Sequence, residues 1–138
     1  YKPNNFENTI FSEISELNLN GYFITTKSTT DRITRVSKKP ALVHLYSFNF
    51  IPYHPYLVDN YFVILKDVYD IDILNPPIKN NTDIPDKFIK NTFEIRSKND
   101  WVSIGKKYNA NYVVVPVSWD IKLELFKKDN FFAIYIIN

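Results

Sequence analysis

Residues 97–116 read SKNDWVSIGKKYNANYVVVP, a stretch that predicts a helix followed almost directly by a buried strand. Ser97 and Asp100 have the spacing of a capping box, which satisfies the free N–H groups at a helix start. Trp101, Ile104 and Tyr108 then fall on one helical face, because helical positions three, four and seven residues apart share a side. The spacing therefore predicts a helix that buries one face.

A short turn and an apolar strand complete this unit. The dipeptide 109–110 closes the turn, and residues 112–115 (YVVV) are apolar at every position. A strand that is apolar on both sides is typical of a sheet covered by helices on both faces. The unit therefore predicts the fold class, and it does not specify a reaction.

Outward from this unit, the chain alternates predicted helices and strands. In chain order we expect a helix over 8–17, a strand over 22–26, a short helix over 31–38, a strand over 41–46, a helix over 56–68, an exposed excursion over about 70–95 with a short helix near 86–91, and a hairpin of 122–126 and 132–136 that turns at 129–130. We therefore expect one α/β domain over 1–138, with a mostly parallel central sheet flanked by helices and an antiparallel C-terminal β-hairpin.

The composition limits the classes of function. The chain has 138 residues, is 45% hydrophobic and carries a net charge of +2, so a packed core is expected and a nucleic-acid partner is not. It has no cysteine, which excludes disulfides and thiolate chemistry. Its two glycines are too few for a P-loop or a dinucleotide loop, and two histidines cannot form a His-rich metal site. We expect no catalytic residue, no metal site and no cofactor.

One metal-dependent alternative remains open at this point. Asp86 follows a proline, and Asp120 stands two residues before Lys122, an arrangement similar to that of nucleases in which acidic groups hold a metal and a lysine assists the attacking water. This alternative requires Asp120 and Lys122 to share one face of a strand. Asp86, however, falls in a stretch rich in Pro and Asn, where a sheet-supported site is not expected.

Two stretches resemble a known group of proteins. Residues 107–115 (KYNANYVVV) and 132–136 (FAIYI) are similar to the helix, strand and final strand of the C-terminal soluble domain of bacterial polytopic membrane proteins of the glycosyltransferase-C type. The resemblance extends from about Phe6 to the C-terminus, and the stretch 70–95 has no counterpart. The shared residues are packing residues and not a catalytic signature.

The resemblance implies a context for the chain. It implies a membrane-attached domain on the extracytoplasmic face, periplasmic or cell-surface, whose partners are its own transmembrane portion and a glycan or lipid-linked sugar. The reacting carboxylates of such proteins lie in the membrane part, so the domain itself is not expected to be catalytic. The chain contains no methionine, which also favours an excised domain. The alternative is a stand-alone soluble α/β domain that binds or hydrolyses a small molecule.

A candidate binding site follows from the predicted topology. Ligands of open α/β sheets bind beyond the carboxyl ends of the strands. The expected binding residues follow three predicted strands: Thr26, Lys27, Ser28, Thr29, Arg32, Asn49, His54, Ser118, Trp119 and Asp120. Arg32 would bind a phosphate or carboxylate, Trp119 would face a sugar ring and Asp120 would accept from hydroxyls. The alternative is that the Ser and Thr side chains only cap the following helix and that Trp119 covers the sheet end.

Overall fold

The structure, a computed structural model, describes residues 9–43, 63–71 and 86–137. Its elements are α1 (Thr9–Ser15), β1 (Tyr22–Thr25), a π-helical turn (Arg32–Val36), α2 (63–69), α3 (Asp86–Ile95), α4 (Lys98–Tyr108), β2 (Ala110–Pro116), β3 (Glu124–Lys128) and β4 (Phe132–Ile136). The predicted α/β class is confirmed, whereas the described residues 41–43 of the predicted second strand form only a single bridge, at Ala41.

The four named strands form one sheet in the order β1-β2-β4-β3. β1 and β2 are parallel, whereas β4 pairs antiparallel with both β2 and β3. Ala41 adds a parallel bridge to Phe23 on the free side of β1, and residues 44–46 of the predicted second strand lie outside the described residues. The prediction of a mostly parallel sheet is wrong, because the C-terminal hairpin folds back so that β4 lies directly beside β2.

Helices cover both faces of the sheet, as the apolar β2 segment predicts. Val114 packs with α1 and the π-helical turn in one cluster, which includes Phe11 and Ile33. Its neighbours Val113 and Val115 pack with α2, α3 and α4 in the other cluster. Successive residues of a strand point to opposite faces, so β2 contributes to both cores.

The unit from Ser97 to β2 has the predicted local structure. The Ser97 hydroxyl accepts from the Asp100 N–H at 3.1 Å, and the Asp100 carboxylate accepts from the Ser97 N–H at 3.1 Å. Asn109 ends α4 with a left-handed φ of 55°. A Cβ on Gly105 would lie 2.7 Å from the Ala110 carbonyl oxygen, so only glycine lets α4 approach β2 this closely.

The C-terminal hairpin is confirmed, with its first strand displaced along the chain. The Asp129 carboxylate accepts from the N–H groups of Phe131 (2.7 Å) and Phe132 (2.8 Å), which closes the turn at the predicted place. β3 begins at Glu124, two residues later than predicted, and runs to Lys128, directly before that turn. Side chain to backbone bonds of this kind are the reason that Asp favours turns.

Two helices differ in length or type from their predictions. Residues 63–68 are helical as predicted, and residues 56–62 lie outside the described residues. The predicted helix over 31–38 is a π-helical turn, in which the Ser37 N–H donates to the Arg32 carbonyl at 3.0 Å. Ile33 faces inward as predicted, and it is buried in the core shared with α1.

The last part of the predicted excursion is a core helix. α3 extends four residues beyond the predicted 86–91, and its Ile89 and Phe93 are 0% exposed. The expectation of an exposed segment is therefore wrong for α3, and residues 72–85 lie outside the described residues. Ile89 and Phe93 stand four residues apart and form one apolar helical face, a short signal that the surrounding Pro and Asn residues obscure.

The sequence pattern predicts four core residues, namely Trp101, Tyr112, Val114 and Tyr135. Trp101 and Val114 are fully buried, which confirms two of them. Tyr112 and Tyr135 are only half-buried and pack against the two clusters from outside. Their phenolic ends explain the difference, since a hydroxyl favours contact with water.

Candidate functional site

The threonines at the carboxyl end of β1 bond to the protein itself. Thr25 Oγ1 lies 2.8 Å from Thr30 Oγ1, and the Thr26 N–H donates to Thr29 Oγ1 at 2.8 Å. The Thr29 hydroxyl also donates to the Val114 carbonyl at 3.1 Å, which ties this turn to β2. All four hydroxyls are buried. These hydroxyls bond within the turn and to β2, and the N-cap of the following π-helical turn, Asp31, has no side-chain capping bond.

Arg32 and Ser28 also take part in this turn. Arg32 Nη1 donates to the Ser28 carbonyl at 2.6 Å, and its guanidinium carbon lies 4.7 Å from the centre of the Phe132 ring. The Ser28 hydroxyl lies 3.0 Å from Thr26 Oγ1. These contacts hold the expected phosphate-binding arginine against the core that contains α1.

α3 extends across the end of the sheet where the ligand was expected. At its start, the Asp86 carboxylate accepts from the Lys27 N–H at 3.0 Å. At its end, the Glu94 carboxylate accepts from the Asp120 N–H at 2.6 Å. Eight residues of helix span about 12 Å, so α3 bridges the loops that follow β1 and β2. The helix thus occupies the position beyond these two strands.

Trp119 does not present a face to a ligand. It is 6% exposed, and its ring meets that of Phe93 edge-on, with 5.9 Å between centroids. Phe93 of α3 thus covers Trp119, and little of the indole ring is left open for the predicted contact with a sugar. Ser118 and Asp120 are exposed at the same end of the sheet, and Asn49 and His54 lie outside the described residues.

The structure does not bring together the three residues of the nuclease-like alternative, Asp86, Asp120 and Lys122. Asp86 begins α3, whereas Asp120 contacts Glu94 near the end of that helix. Asp120 and Lys122 precede β3 and so do not share a strand face. The two carboxylates required to hold one metal are separated by most of the length of α3.

A cleft of about 360 Å³ lies elsewhere, between α2 and α4. Seven residues line it. They come from α2 (Asp67), from the link between α3 and α4 (Arg96) and from one side of α4 (Asp100, Ser103, Ile104, Lys107 and Tyr108). None of these residues belongs to the site predicted from the sequence.

Asp67 organises one wall of the cleft. Lys107 Nζ donates to Asp67 Oδ2 at 2.6 Å, and the Tyr108 hydroxyl donates to the same oxygen. The hydrogen bond from Lys107 and then that from Tyr108 lower the pKa of Asp67. The bond to Asp67 raises the pKa of Lys107, and burial together with Asp67 raises the pKa of Tyr108. All three groups therefore keep their ordinary charges at neutral pH.

Arg96 lines the cleft from the link between α3 and α4. Its Nη2 donates to the Asp67 carbonyl at 2.8 Å, in the last turn of α2 where helix carbonyls lack partners. Its guanidinium carbon lies 4.9 Å from the ring of Trp101 and 5.5 Å from that of Phe93. Burial lowers the pKa of Arg96, and its Nη1 is enclosed without a hydrogen-bond partner.

The remaining lining groups are suited to contact a polar ligand. The backbone N–H of Ser97 lowers the pKa of Asp100, so this carboxylate is charged at the start of α4. Ser103 is exposed and Ile104 is half-buried one turn further on. The pKa values of the Asp67 and Asp100 carboxyls are lowered, and the pKa values of Lys107 and Tyr108 are raised. Each shift moves the pKa further from neutral pH. Such groups favour binding over proton transfer, which requires a pKa near the working pH.

The pKa of Asp67 predicts a pH-dependent contribution to stability. Folding lowers the pKa of Asp67 below its value in the unfolded chain, which is about 3.9. The carboxylate therefore stabilises the fold at pH values above the unfolded pKa. This contribution is lost as the pH falls through the pKa of the folded chain. We expect the native chain to melt a few degrees above Asp67→Asn at pH 7. The gap should close towards pH 2, since the protonated carboxyl no longer attracts Lys107. A gap that stays constant over this range contradicts the assignment.

The chain was compared with known protein families, curated proteins and solved structures. No protein-family model, no curated protein and no solved structure matches the chain. Within the described ranges, no three His, Cys, Asp or Glu side chains are grouped closely enough to hold a metal ion. The same part of the chain contains no helix of the length and apolar character needed to cross a bilayer.

Proposed function

We propose that this chain is a non-catalytic extracytoplasmic domain of a larger, membrane-attached glycosyltransferase-like protein, and that it holds a glycan or lipid-linked sugar head group in the cleft between α2 and α4. The observation that carries the proposal is the concentration of hydrogen-bond donors and acceptors around one cavity of about 360 Å³. That volume is within the range of small-molecule sites.

The lining of the cleft matches the chemistry of a sugar. Lys107 and Ser103 offer donors, and Asp67 and Asp100 offer carboxylate acceptors. The Tyr108 hydroxyl donates its hydrogen to Asp67, so its oxygen can only accept from a ligand. Sugar hydroxyls both donate and accept, so a wall of mixed character can bond to several at once. Ile104 adds apolar surface for the carbon face of the ring.

The wall is held in place before a ligand arrives. Asp67 holds the ends of Lys107 and Tyr108, and Arg96 holds the end of α2 through the Asp67 carbonyl. Long side chains that are already ordered lose less conformational entropy on binding. This arrangement supports recognition by a rigid wall.

The membrane context is supported by the residues that carry the resemblance. Residues 107–115 include Lys107 and Tyr108, so the segment shared with glycosyltransferase-C domains also lines the cleft. In this proposal the domain also packs on its own transmembrane portion. A gene that encodes several membrane spans before Tyr1 agrees with the proposal, whereas a gene without them favours the stand-alone α/β domain.

A titration of the 138-residue chain tests the proposed site. We expect neutral hexoses and N-acetylhexosamines at millimolar concentration to shift the backbone amide signals of Asp100, Ser103 and Lys107 in ¹⁵N NMR spectra. Ser103→Ala should weaken this binding because it removes a hydroxyl from the cleft. Ser118→Ala, an exposed serine at the end of the sheet, should leave it unchanged. Shifts confined to 26–32 and 118–120, or no shifts at all, contradict the proposal.

A further inference from the structure

We propose that Asn20 is a site of spontaneous covalent modification, at which the side-chain amide is lost and the backbone between α1 and β1 becomes longer. The proposal involves none of the cleft residues and does not depend on the proposed function. It starts from the dipeptide Asn20–Gly21, since asparagine is one of the chemically labile residues of proteins.

The side chain of Asn20 is open to reaction. Asn20 is exposed and lies between the end of α1 and the first residue of β1. Within the described ranges, its side-chain amide takes part in no hydrogen bond. Its backbone carbonyl is held separately, because Asn111 Nδ2 donates to that oxygen at 2.7 Å. The Cγ atom of Asn20 can therefore turn towards the next residue without the loss of a hydrogen bond.

The nucleophile is the backbone nitrogen of Gly21. Glycine carries no Cβ that would hinder the approach of Cγ to this nitrogen, and the φ of 86° favours glycine here. In the described part of the chain the Gly21 N–H donates to no acceptor, whereas the N–H of Tyr22 donates to the Asn109 carbonyl at 2.8 Å. The Gly21 nitrogen can therefore lose its proton and attack with no hydrogen bond to break.

The reaction needs only water as a co-reactant. The Gly21 nitrogen loses its proton and bonds to Asn20 Cγ, the Cγ–Nδ2 bond breaks, and Nδ2 leaves as ammonia. A five-membered cyclic imide results, in which the Gly21 nitrogen joins Cγ to the backbone carbonyl carbon of Asn20. Water then adds to one of these two carbons and the bond from that carbon to nitrogen breaks. Opening at Cγ gives aspartate, and opening at the backbone carbon gives isoaspartate, in which the chain continues through Cγ.

The surroundings do not accommodate the longer backbone of isoaspartate. The Asn20 carbonyl and the Tyr22 N–H lie on either side of the reacting link, and they bond to Asn111 and Asn109 at the start of β2. Isoaspartate adds one carbon to the path between these two fixed points. A Cβ on Gly21 would lie 2.4 Å from Asn111 Nδ2 and 2.9 Å from the Asn109 carbonyl oxygen, so this side of the chain has no room for an added carbon.

The modification therefore acts on the pairing of β1 with β2. That pairing begins at Tyr22 opposite Ala110, directly after the modified link. β1 has four residues, so the loss of its first pair removes a large part of the ladder. Aspartate keeps the original backbone length and leaves the pairing in place.

Peptide mapping by mass spectrometry tests the site. The 138-residue chain is incubated at physiological temperature and mildly alkaline pH, and samples are digested at intervals. Asn20 should convert several-fold faster than Asn130, an exposed asparagine that precedes Phe131. The rate should rise with pH, because the attacking nitrogen must lose its proton. Asn20→Gln keeps the backbone carbonyl that Asn111 binds, and it should stay unmodified because its attack requires a six-membered ring.

Thermal unfolding tests the effect on β1. The isoaspartate form, separated from the aged chain by chromatography, should melt below the fresh native chain. Asn20→Asp is the matched control, because it has the new charge without the added backbone carbon. It should melt with the native chain.

The outcomes separate the chemistry from its structural effect. Conversion of Asn20 in the folded chain ahead of Asn130 supports the modification site. Conversion of Asn20 only after unfolding in urea, or no faster than that of Asn130, overturns it. Aspartate as the sole product, or an isoaspartate form that melts like Asn20→Asp, overturns the effect on β1.

Discussion

Replacing Trp101 with alanine is expected to lower the free energy of unfolding by about 3–5 kcal/mol. Trp101 is 0% exposed, and Phe93 meets its ring edge-on with 5.0 Å between centroids. The guanidinium of Arg96 covers the ring at 4.9 Å. Truncation therefore leaves a large cavity and frees the arginine. Typical domains have a total stability of roughly 5–15 kcal/mol, so the variant would lose a large share of it.

Urea unfolding followed by circular dichroism measures this effect. Ser103→Ala, an exposed change on the same helix, is the control and should stay within about 0.5 kcal/mol of the native chain. Trp101→Phe should lose less than Trp101→Ala, because it retains a ring and removes an enclosed indole N–H that has no acceptor. A Trp101→Ala chain that unfolds like the native one would contradict the burial of this residue.

Replacing Phe93 with alanine is expected to cost about 3–5 kcal/mol as well. Phe93 is 0% exposed and touches the rings of Tyr69, Trp101 and Trp119, with centroid distances of 5.6, 5.0 and 5.9 Å. It joins α3 to α2, to α4 and to the loop after β2. Its loss would weaken the contact of α3 with the end of the sheet, and urea unfolding again provides the measurement.

The same helix provides the matched control. Phe88 is 40% exposed on the opposite side of α3, so Phe88→Ala should cost less than about 1 kcal/mol. A large difference between the two phenylalanines supports a docked core helix. Small and equal effects would instead agree with the exposed excursion that the composition of this stretch predicts.

Local features of the fold could be predicted because their causes lie within a few residues. The capping box joins Ser97 to Asp100, three positions away, and the left-handed Asn109 ends the same helix. Asp129 closes the hairpin through N–H groups two and three residues further on. Such bonds depend on the identity of neighbours in the chain, and the sequence displays those directly.

The candidate site could not be predicted, because distant segments build it. Asp67 meets Lys107 and Tyr108 across about forty positions, and Arg96 meets Asp67 across twenty-nine. No spacing in the chain indicates these contacts. The residues predicted to bind, among them Thr29 and Trp119, were placed at the correct end of the sheet. The Thr29 hydroxyl bonds to the Val114 carbonyl, and the Trp119 ring packs against Phe93 of α3.

The sequence by itself determined the α/β class, the helix and strand around Ser97, the hairpin turn and the burial of Trp101. These follow from hydrogen bonds between near neighbours and from the period of apolar residues. Only the tertiary structure decided the mixed sheet, the docking of α3 and the position of the cleft. Those depend on which apolar faces bury each other, and pairing of distant surfaces is set by the packing of the whole core and not by any one segment.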